Sequence, residues 1–472
     1  MLRILFLLHR YLGIALGLIV SLWCLSGFVM MYVQFPDLSR EEQLRGLDEL
    51  DLSTCCALPD DFSDIDLDRY RVEMMAGRPV LRLSAGSGQY VIDLREGEYL
   101  ADIGEPVAHE IADIFSGNLR LAGDTEFLGT LDRDQWTVYG GLNPNRPLFH
   151  YRASDPAATE WYVSSVNGEI IQMTTARERF WNWAGSVVHW IYPTILRQHA
   201  GAWLQVVIWL SVLGLFLTVV GVYIGITQLK DRQNGRLSPY RDAMLWHHYS
   251  GLIFGLLTLT WLFSGLLSVN PWGALQGRSY ASEVQRIRGS VLTYNQAADT
   301  LRDLAAKSLP DGTARLEGST FSGEPYLLAW GRDGESTRLD AHSLNTDPLA
   351  DSSFAAIAAV IRPGEPIRDQ GWLTAGDAYY YSHHEERAFP VYRIQYADGE
   401  RVYLDRASGQ LAFAADSNRQ LSRWLFLGLH RGDLSGLLRR RPIWDLLMLP
   451  LLLGVTLSAL TGTWMGFKRL TR

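Results

Sequence analysis

The chain has 472 residues, of which 47% are apolar and 20% are charged, and it carries a net charge of −8 at pH 7. This charged fraction is too large for a protein that lies wholly in lipid. The acidic balance gives no reason to expect nucleic acid as a partner. The three cysteines, Cys24 and the adjacent Cys55 and Cys56, provide neither a disulfide framework nor a Cys-x-x-Cys-His motif.

Four apolar blocks predict four membrane-spanning helices surrounded by lipid, because each is long enough to cross about 30 Å of hydrocarbon. The first block could be a secretory signal, but its length and the lack of an Ala-x-Ala cleavage site favour a retained helix. Along the chain we predict helix one at 1–33, a polar module at 34–180, an interfacial helical segment at 181–201, helix two at 202–227, a loop at 228–243, helix three at 244–269, a second polar module at 270–420, a second interfacial segment at 421–442, helix four at 443–467 and a tail at 468–472.

Basic residues determine the predicted orientation. The only short loop and the C-terminal tail are rich in lysine and arginine, which places both in the cytoplasm by the positive-inside rule. These residues are Lys230, Arg232, Arg236, Arg241, Lys468, Arg469 and Arg472. The three arginines at 439–441 oppose this assignment, although the rule weakens beside long translocated segments. We therefore expect both termini in the cytoplasm and both long polar segments on the exported side.

The sequence repeats internally. Residues 9–27 match residues 247–265 at a constant offset of 238, with identical His, Tyr, Gly, Gly, Trp, Ser and Gly. A second set, at an offset of 241, pairs Trp183, His189, Trp203, Gly221 and Gly225 with Trp424, His430, Trp444, Gly462 and Gly466. Because each copy enters and leaves the membrane in the same sense, we predict two parallel repeats related by an approximate two-fold axis along the membrane normal.

The polar segments carry signals for both strands and helices. Alternating Tyr, Val and Ile around Glu-Gly and Asn-Gly in 89–100 and 160–171 predict β-hairpins. The second segment combines a helical stretch near 295–307 with further strand-like runs. We therefore predict a membrane protein with four transmembrane α-helices in two parallel repeats and two exported α+β modules.

Four histidines lie at the ends of the apolar blocks, in register between the copies. A six-coordinate haem needs two neutral imidazoles that face each other, and symmetry-related helices with histidine at equal depth provide them. His9 and His247 would form one site on the cytoplasmic side, and His189 and His430 a second on the exported side. The pattern predicts two haems, held without covalent attachment; the plainer alternative is four interfacial histidines that bind nothing.

Neighbouring residues leave alternatives open at both sites. His248 competes with its neighbour as the cytoplasmic ligand, and His199 competes for the exported one, although repeat symmetry favours the pairs named above. Arg10 and Arg241 lie close to the cytoplasmic pair in sequence and could bind haem propionates.

Other candidate sites are weaker. His383 and His384 could contact a metal or a ferric chelate on the exported face, although adjacent histidines on a turn are more often only a solvated loop. The chain contains no Gly-x-Gly-x-x-Gly after a strand and no P-loop, so that neither a nicotinamide site nor an ATP site is predicted.

Several stretches together resemble the PepSY-associated transmembrane family, which includes iron-regulated inner-membrane proteins and ferric-siderophore reductases. They are LHRYLGIALGLIVSLWCLSG, VYLDRASGQL followed by RWLFLGLHRGDLSG, HHYSGLIFGLL and SALTGTWMG. The resemblance implies b-type haem, PepSY-like periplasmic modules and electron transfer across the bacterial inner membrane to a periplasmic acceptor. The chain departs from the family pattern at VSSVNGEI, where the aspartate form is expected, and at 189–199, which contains Pro193 and a second histidine.

Our leading hypothesis is a di-haem inner-membrane reductase that takes electrons from a quinol or a cytoplasmic donor and reduces a ferric siderophore in the periplasm. The alternative is a membrane-anchored PepSY protein that binds peptides or inhibits proteases without redox activity. A transporter is disfavoured because the four apolar blocks carry no Asp, Glu or Lys deep inside them.

Overall fold

The computed structural model describes residues 2–63, 65–86, 88–230, 237–304, 307, 309–383 and 386–471. Numbered along the chain, the helices are α1 (Leu2–Met30), α2 (Arg40–Arg45), α3 (Glu105–Asn118), α4 (Ala176–Ala184), α5 (Ser186–His189), α6 (Thr194–Arg197), α7 (Ala200–Gln228), α8 (Asp242–Ser268), α9 (Ala281–Arg288), α10 (Tyr294–Leu304), α11 (Asp351–Ile361), α12 (Ser417–Ser422), α13 (Leu429–Arg431) and α14 (Ile443–Leu470). A π-helical turn, Arg423–Gly428, lies between α12 and α13.

The strands belong to three larger sheets and one short pair. They are β1 (Asp66–Leu67), β2 (Arg69–Met75), β3 (Arg78–Ala85), β4 (Gly88–Asp93), β5 (Glu98–Tyr99), β6 (Thr125–Leu131), β7 (Leu148–Ala153), β8 (Glu160–Ser164), β9 (Ile170–Thr174), β10 (Leu292–Thr293), β11 (Thr313–Phe321), β12 (Glu324–Gly331), β13 (Ser336–Asp340), β14 (Ile367–Leu373), β15 (Val391–Tyr396), β16 (Arg401–Asp405) and β17 (Leu411–Ala415).

Among the described residues four helices, α1, α7, α8 and α14, are long and apolar enough to cross a membrane. Each has 27 to 29 residues, which at 1.5 Å per residue gives a length of about 40 Å, more than the hydrocarbon thickness of about 30 Å. Large apolar side chains such as Leu18, Ile253 and Leu446 point outward from the bundle. Such a surface is unfavourable in water and expected in lipid. The chain is therefore a membrane protein that also carries β-sheet domains.

The four long helices pack as a bundle in which α1 and α8 each contact both α7 and α14. Glycines allow these close contacts. A Cβ atom at Gly17 would lie 2.9 Å from Thr463 Oγ1, and one at Gly454 would lie 2.2 Å from Phe254 Cζ. Small residues at helix crossings are the usual means of close packing in membranes.

The two polar segments share one seven-stranded sheet, in the order β13-β12-β11-β2-β3-β4-β5. Strands β2 and β11 join the two halves as an antiparallel pair, with Glu73 opposite Arg315 and Val72 opposite Leu316. Each segment also has a four-stranded sheet of its own, β6-β7-β8-β9 or β14-β15-β16-β17. The predicted mixture of strands and helices is present, whereas a sheet built jointly by the two segments is not part of the sequence prediction.

The larger apolar cores in the described part of the two polar segments hold their sheets and helices together. Helix α10 covers one face of the shared sheet, where Leu301 packs in the same core as Leu316. Helices α3 and α11 each fill the space between the shared sheet and one four-stranded sheet, with Phe115 and Phe354 at their centres. Cys55 and Cys56 lie beside the α10 core.

A buried ion pair lies where the two halves of the shared sheet meet. The carboxylate of Glu73, from the first polar segment, is 2.6 Å from Arg82 Nε and 2.6 Å from Nε of Arg315, which belongs to the second segment. Burial alone would raise the pKa of Glu73, but Arg315 and Arg82 outweigh burial and hold that pKa well below its usual range. The carboxylate therefore remains ionised and links the two segments.

A broken helical segment returns each polar half to the bundle. Helix α4 begins at a capping box formed by Thr175 and Glu178. The chain then breaks after α5, where Ile191 has a φ of 52°, and after α13, where Gly432 has a φ of 76°. Because of these breaks α5 packs against α1 and α13 packs against α8, instead of extending away from the membrane.

Candidate functional site: two facing histidine pairs

His9 on α1 and His247 on α8 face each other across the bundle, with ring centroids 6.1 Å apart and ring planes at 38°. The Nδ1 atom of His9 lies 3.2 Å from the carbonyl oxygen of Leu217, and Nδ1 of His247 lies 2.9 Å from that of Ser458. A carbonyl only accepts, so Nδ1 carries the proton and donates it. Each Nε2 is then the ring nitrogen with the lone pair that a metal requires.

Two glycines allow the imidazoles to approach the helix backbone. Gly221 and Gly462 each follow the accepting carbonyl by four residues, one helical turn. A Cβ atom at Gly221 would lie 2.5 Å from Cε1 of His9, and one at Gly462 would lie 3.0 Å from Cε1 of His247. Any larger residue would therefore push the ring away from its carbonyl partner.

His189 and His430 form a second pair at the other end of the bundle, again with ring centroids 6.1 Å apart, and with ring planes at 71°. Their Nδ1 atoms are each held by a carbonyl and a hydroxyl from the neighbouring long helix. The contacts of His189 are Trp23 O at 3.1 Å and Ser26 Oγ at 3.1 Å, and those of His430 are Trp261 O at 3.2 Å and Ser264 Oγ at 3.0 Å. Here too Nε2 is the nitrogen left to face the partner ring.

Desolvation keeps this second pair neutral. It lowers the pKa of His189 to about 4. Burial, together with the neighbouring His189 and Arg431, lowers the pKa of His430 to about 3. Both imidazoles are therefore uncharged near pH 7, the form that binds metal ions.

The geometry of each pair fits a metal ion between the rings. With metal–imidazole bonds of about 2.0–2.1 Å, two rings on opposite sides of one ion would have centroids about 6.4 Å apart. The ring centroids of ordinary aromatic pairs also lie about 4.5–7 Å apart, so the distance alone does not distinguish a metal site from two packed rings. All four rings are anchored through Nδ1, an arrangement that metal-binding histidines also show.

The two pairs lie at different depths in the bundle. On α1, His9 precedes Trp23 by 14 residues and Ser26 by 17, and His247 precedes Trp261 and Ser264 on α8 by the same numbers. At 1.5 Å per residue the pairs are roughly 21–26 Å apart along the helix axis. This distance is most of the apolar thickness of a membrane, so the pairs lie near its opposite faces.

The competing histidines lie elsewhere. His248 is only 6% exposed, and both its nitrogens are engaged, with Ser238 Oγ at 2.8 Å and Gly225 O at 2.9 Å. His199 is exposed at the start of α7. The structure thus brings His247, and not His248, to His9.

The remaining candidates are peripheral. Arg10 directly follows His9 in the sequence and Arg241 precedes His247 by six residues, and both arginines are exposed. His383 binds a buried carboxylate, with Nδ1 2.6 Å from Asp433 Oδ1, while His384 lies outside the described residues. Within the described ranges no group of three or more His, Cys, Asp or Glu side chains is placed to hold a metal ion.

Some site residues were missed by the sequence reasoning, although the repeat contains their signal. Ser26 and Ser264 match at the offset of 238, and Gly221 and Gly462 match at 241, but no role followed from these identities. Comparison with protein-family models and with characterised proteins gives no match for this chain. The site therefore rests on its own geometry.

Proposed function

We propose that the protein is a di-haem membrane reductase that moves electrons across the bacterial inner membrane to a ferric siderophore in the periplasm. One observation carries the proposal: both histidine pairs have the same separation of 6.1 Å and the same anchoring through Nδ1. A peptide-binding anchor or a transporter does not require facing imidazoles held in this way.

The residues present fit b-type haem at both sites. His9 and His247 would hold one haem through Nε2, and His189 and His430 would hold the other. When bound, haem iron supplies a one-electron change between Fe(III) and Fe(II). With no Cys-x-x-Cys-His motif in the sequence, both haems would be held without covalent bonds.

The chain itself would hold and tune the ligands. The carbonyls of Leu217 and Ser458, and those of Trp23 and Trp261 at the other end, fix the orientation of each imidazole and increase its basicity. Two sites near opposite faces would allow electrons to cross in two steps where one step would be too long.

The matched contacts support the predicted duplication. Leu217 and Ser458, which accept from the cytoplasmic pair, are 241 residues apart, and Trp23 and Trp261 are 238 apart. These are the offsets of the sequence repeat. We therefore retain the proposal of two parallel repeats with PepSY-like periplasmic modules and cytoplasmic termini, in keeping with the family resemblance.

In the proposed reaction, one electron from a quinol or a cytoplasmic donor reduces Fe(III) in the chelate to Fe(II). Chelates with hard oxygen ligands hold Fe(II) less strongly, so that reduction releases iron. Basic side chains on the exported side would attract an anionic chelate. Arg197, stacked 4.7 Å from the centroid of Trp203, and Arg441, 5.3 Å from that of Trp444, are available for this role.

Absorption spectra of the purified protein test the proposal. We expect two haems per chain, with the Soret and α bands of bis-histidine b-type haem after reduction with dithionite. His247→Ala should remove the cytoplasmic-side haem, and His430→Ala should remove the other. The matched control is His248→Ala, which changes the adjacent histidine and should leave both haems bound.

Two results would contradict the proposal. A colourless protein from haem-replete cells would favour the PepSY anchor that binds peptides or inhibits proteases. Equal loss of haem in His247→Ala and His248→Ala would mean that the loss reflects damage to α8 and not removal of a ligand.

A further inference from the structure

The chain just before His430 contains an irregular turn. Residues Arg423–Gly428 form a π-helical turn between α12 and α13. Such turns are rare and often occur at functional sites, because they redirect side chains that a regular helix would stack. Arg423, the first residue of this turn, is only 6% exposed.

Two of the three guanidinium nitrogens of Arg423 have clear partners. Its Nε donates to the carbonyl of Ala378 at 2.6 Å, and its Nη2 donates to the carbonyl of Asp433 at 2.6 Å. Among the described residues Nη1 has no hydrogen-bond partner, although it is buried. A buried charged donor without an acceptor is costly, so an acceptor at this position would be stabilising.

The unpaired nitrogen faces the turn that carries His430. A Cβ atom at Gly428 would lie 3.5 Å from Nη1 of Arg423, and Gly428 precedes His430 by two residues. Because glycine has no side chain, nothing from this residue covers the nitrogen. The guanidinium carbon also lies 4.0 Å from the ring centroid of Trp424, which keeps the group in place.

Other charged groups lie near Arg423. Arg423 and Arg439 flank the ring of Tyr381, at 5.3 and 3.6 Å from its centroid. The carboxylate of Asp433, 1% exposed, accepts hydrogen bonds from Tyr381 and His383. Both hydrogen bonds described for Arg423 go to backbone carbonyls, so neither of them neutralises its charge.

The first copy differs at the equivalent position. The offset of 241 places Asn182 at the position of Arg423. Asn182 is fully buried, and its amide donates to Gln34 O and Glu178 O and accepts from Ser186 Oγ. The neutral amide is satisfied, whereas the arginine of the second copy has a donor to spare. Only the second copy therefore has an arginine with an unpaired donor in the segment that precedes its exported-side histidine.

We infer that Nη1 of Arg423 binds a propionate carboxylate of the porphyrin held by His189 and His430. This inference rests on the proposed function and extends it to a residue outside the ligand set. A guanidinium donor and a carboxylate form a strong, charge-assisted hydrogen bond. The bound carboxylate would fix the rotation of the porphyrin about the line between the two imidazoles.

Haem content and redox titration of the intact protein test this inference. In Arg423→Gln, the purified protein should lose part of its exported-side haem. The midpoint potential of the remaining exported-side haem should become more negative, because a positive charge that favours Fe(II) has been removed. Arg423→Lys should retain more haem than Arg423→Gln, and the cytoplasmic-side haem should not change in either variant.

The matched control is Arg338→Gln. Arg338 is also 6% exposed, has an Nε without a hydrogen-bond partner in the described part of the chain, and lies 3.7 Å from the ring centroid of Tyr326. It lies on β13 of the shared sheet. Loss of stability should be similar in the two variants, but only Arg423→Gln should change the exported-side haem.

The outcomes separate this inference from the proposed function. A red wild-type protein whose exported-side haem is unaffected by Arg423→Gln overturns the inference alone. The inference is also overturned if Arg423→Gln leaves the midpoint potential unchanged but raises the KM for ferric citrate. The carboxylate that binds Arg423 would then belong to the chelate. A colourless wild-type protein would remove the proposed function and this inference with it.

Discussion

If the proposed haems are bound, Gly221→Ala should weaken the site of His9 and His247 without altering either histidine. The new Cβ atom would lie 2.5 Å from Cε1 of His9, whereas carbon atoms in contact are normally about 3.5–4.0 Å apart. The ring must therefore move by about 1 Å, away from the carbonyl of Leu217. Overpacking of this kind costs about 1–3 kcal/mol, and the lost hydrogen bond costs about 0.5–1.5 kcal/mol more.

These terms together predict a haem affinity that is roughly 10- to 1000-fold weaker, at about 1.4 kcal/mol for each factor of ten. Gly462→Ala should have a smaller effect, since its Cβ atom would lie 3.0 Å from Cε1 of His247. Gly13→Ala is the control, because it lies on the same helix as His9 and a Cβ atom there meets nothing within 4 Å. Haem titration of each variant gives the affinities.

The order of effects is the critical result. Gly221→Ala should weaken haem binding more than Gly462→Ala does. Gly13→Ala should bind haem about as tightly as the unmodified protein. It is refuted if Gly221→Ala binds the cytoplasmic-side haem normally, or if Gly13→Ala loses as much. Loss of the exported-side haem in Gly221→Ala would also count against it, because that site is roughly 21–26 Å away.

Two further changes test other parts of the structure. Ser264→Ala removes a hydroxyl 3.0 Å from Nδ1 of His430; the less basic imidazole should raise the midpoint potential of the exported-side haem in a redox titration. Glu73→Gln leaves Arg315 without its charge partner, which should destabilise the exported region by about 3–5 kcal/mol at pH 7. Because the pKa of Glu73 is lowered by folding, its contribution is present above its unfolded pKa of about 4.3 and is lost as pH falls toward the folded pKa. The difference in unfolding temperature between Glu73→Gln and the unmodified protein should therefore shrink below pH 4.3, and a constant difference would contradict the assignment.

The sequence led directly to those features that depend on local pattern or on the repeat. Four apolar blocks predicted four spanning helices, and the part of the chain that the structure describes contains four helices long and apolar enough to cross a membrane. The same offsets that defined the repeat selected His9 with His247 and His189 with His430, the pairs whose rings lie 6.1 Å apart. The apolar blocks, and the matching positions of the histidines at their ends, can be read from a single sequence.

Features formed by distant contacts could not be predicted in this way. The pairing of β2 with β11 joins residues some 240 positions apart, such as Glu73 and Arg315, and neither strand carries a signal for its partner. The unpaired nitrogen of Arg423 results from a π-helical turn and from the loop at Ala378. The first copy could not indicate this contact, since Asn182 occupies the position equivalent to Arg423 there.

The places where the two copies agree and differ suggest a division of roles. Hydrogen bonds to the four imidazoles agree at the offsets of the repeat, as expected if each pair must hold a planar group from both sides. The copies differ at the exported end, where Arg423 replaces the neutral Asn182. A symmetric clamp fixes the position of a cofactor along the axis but not its rotation. If Arg423 binds a propionate as inferred above, this single contact would remove that freedom and present one edge of the haem held by His189 and His430 to the acceptor in preference to the other.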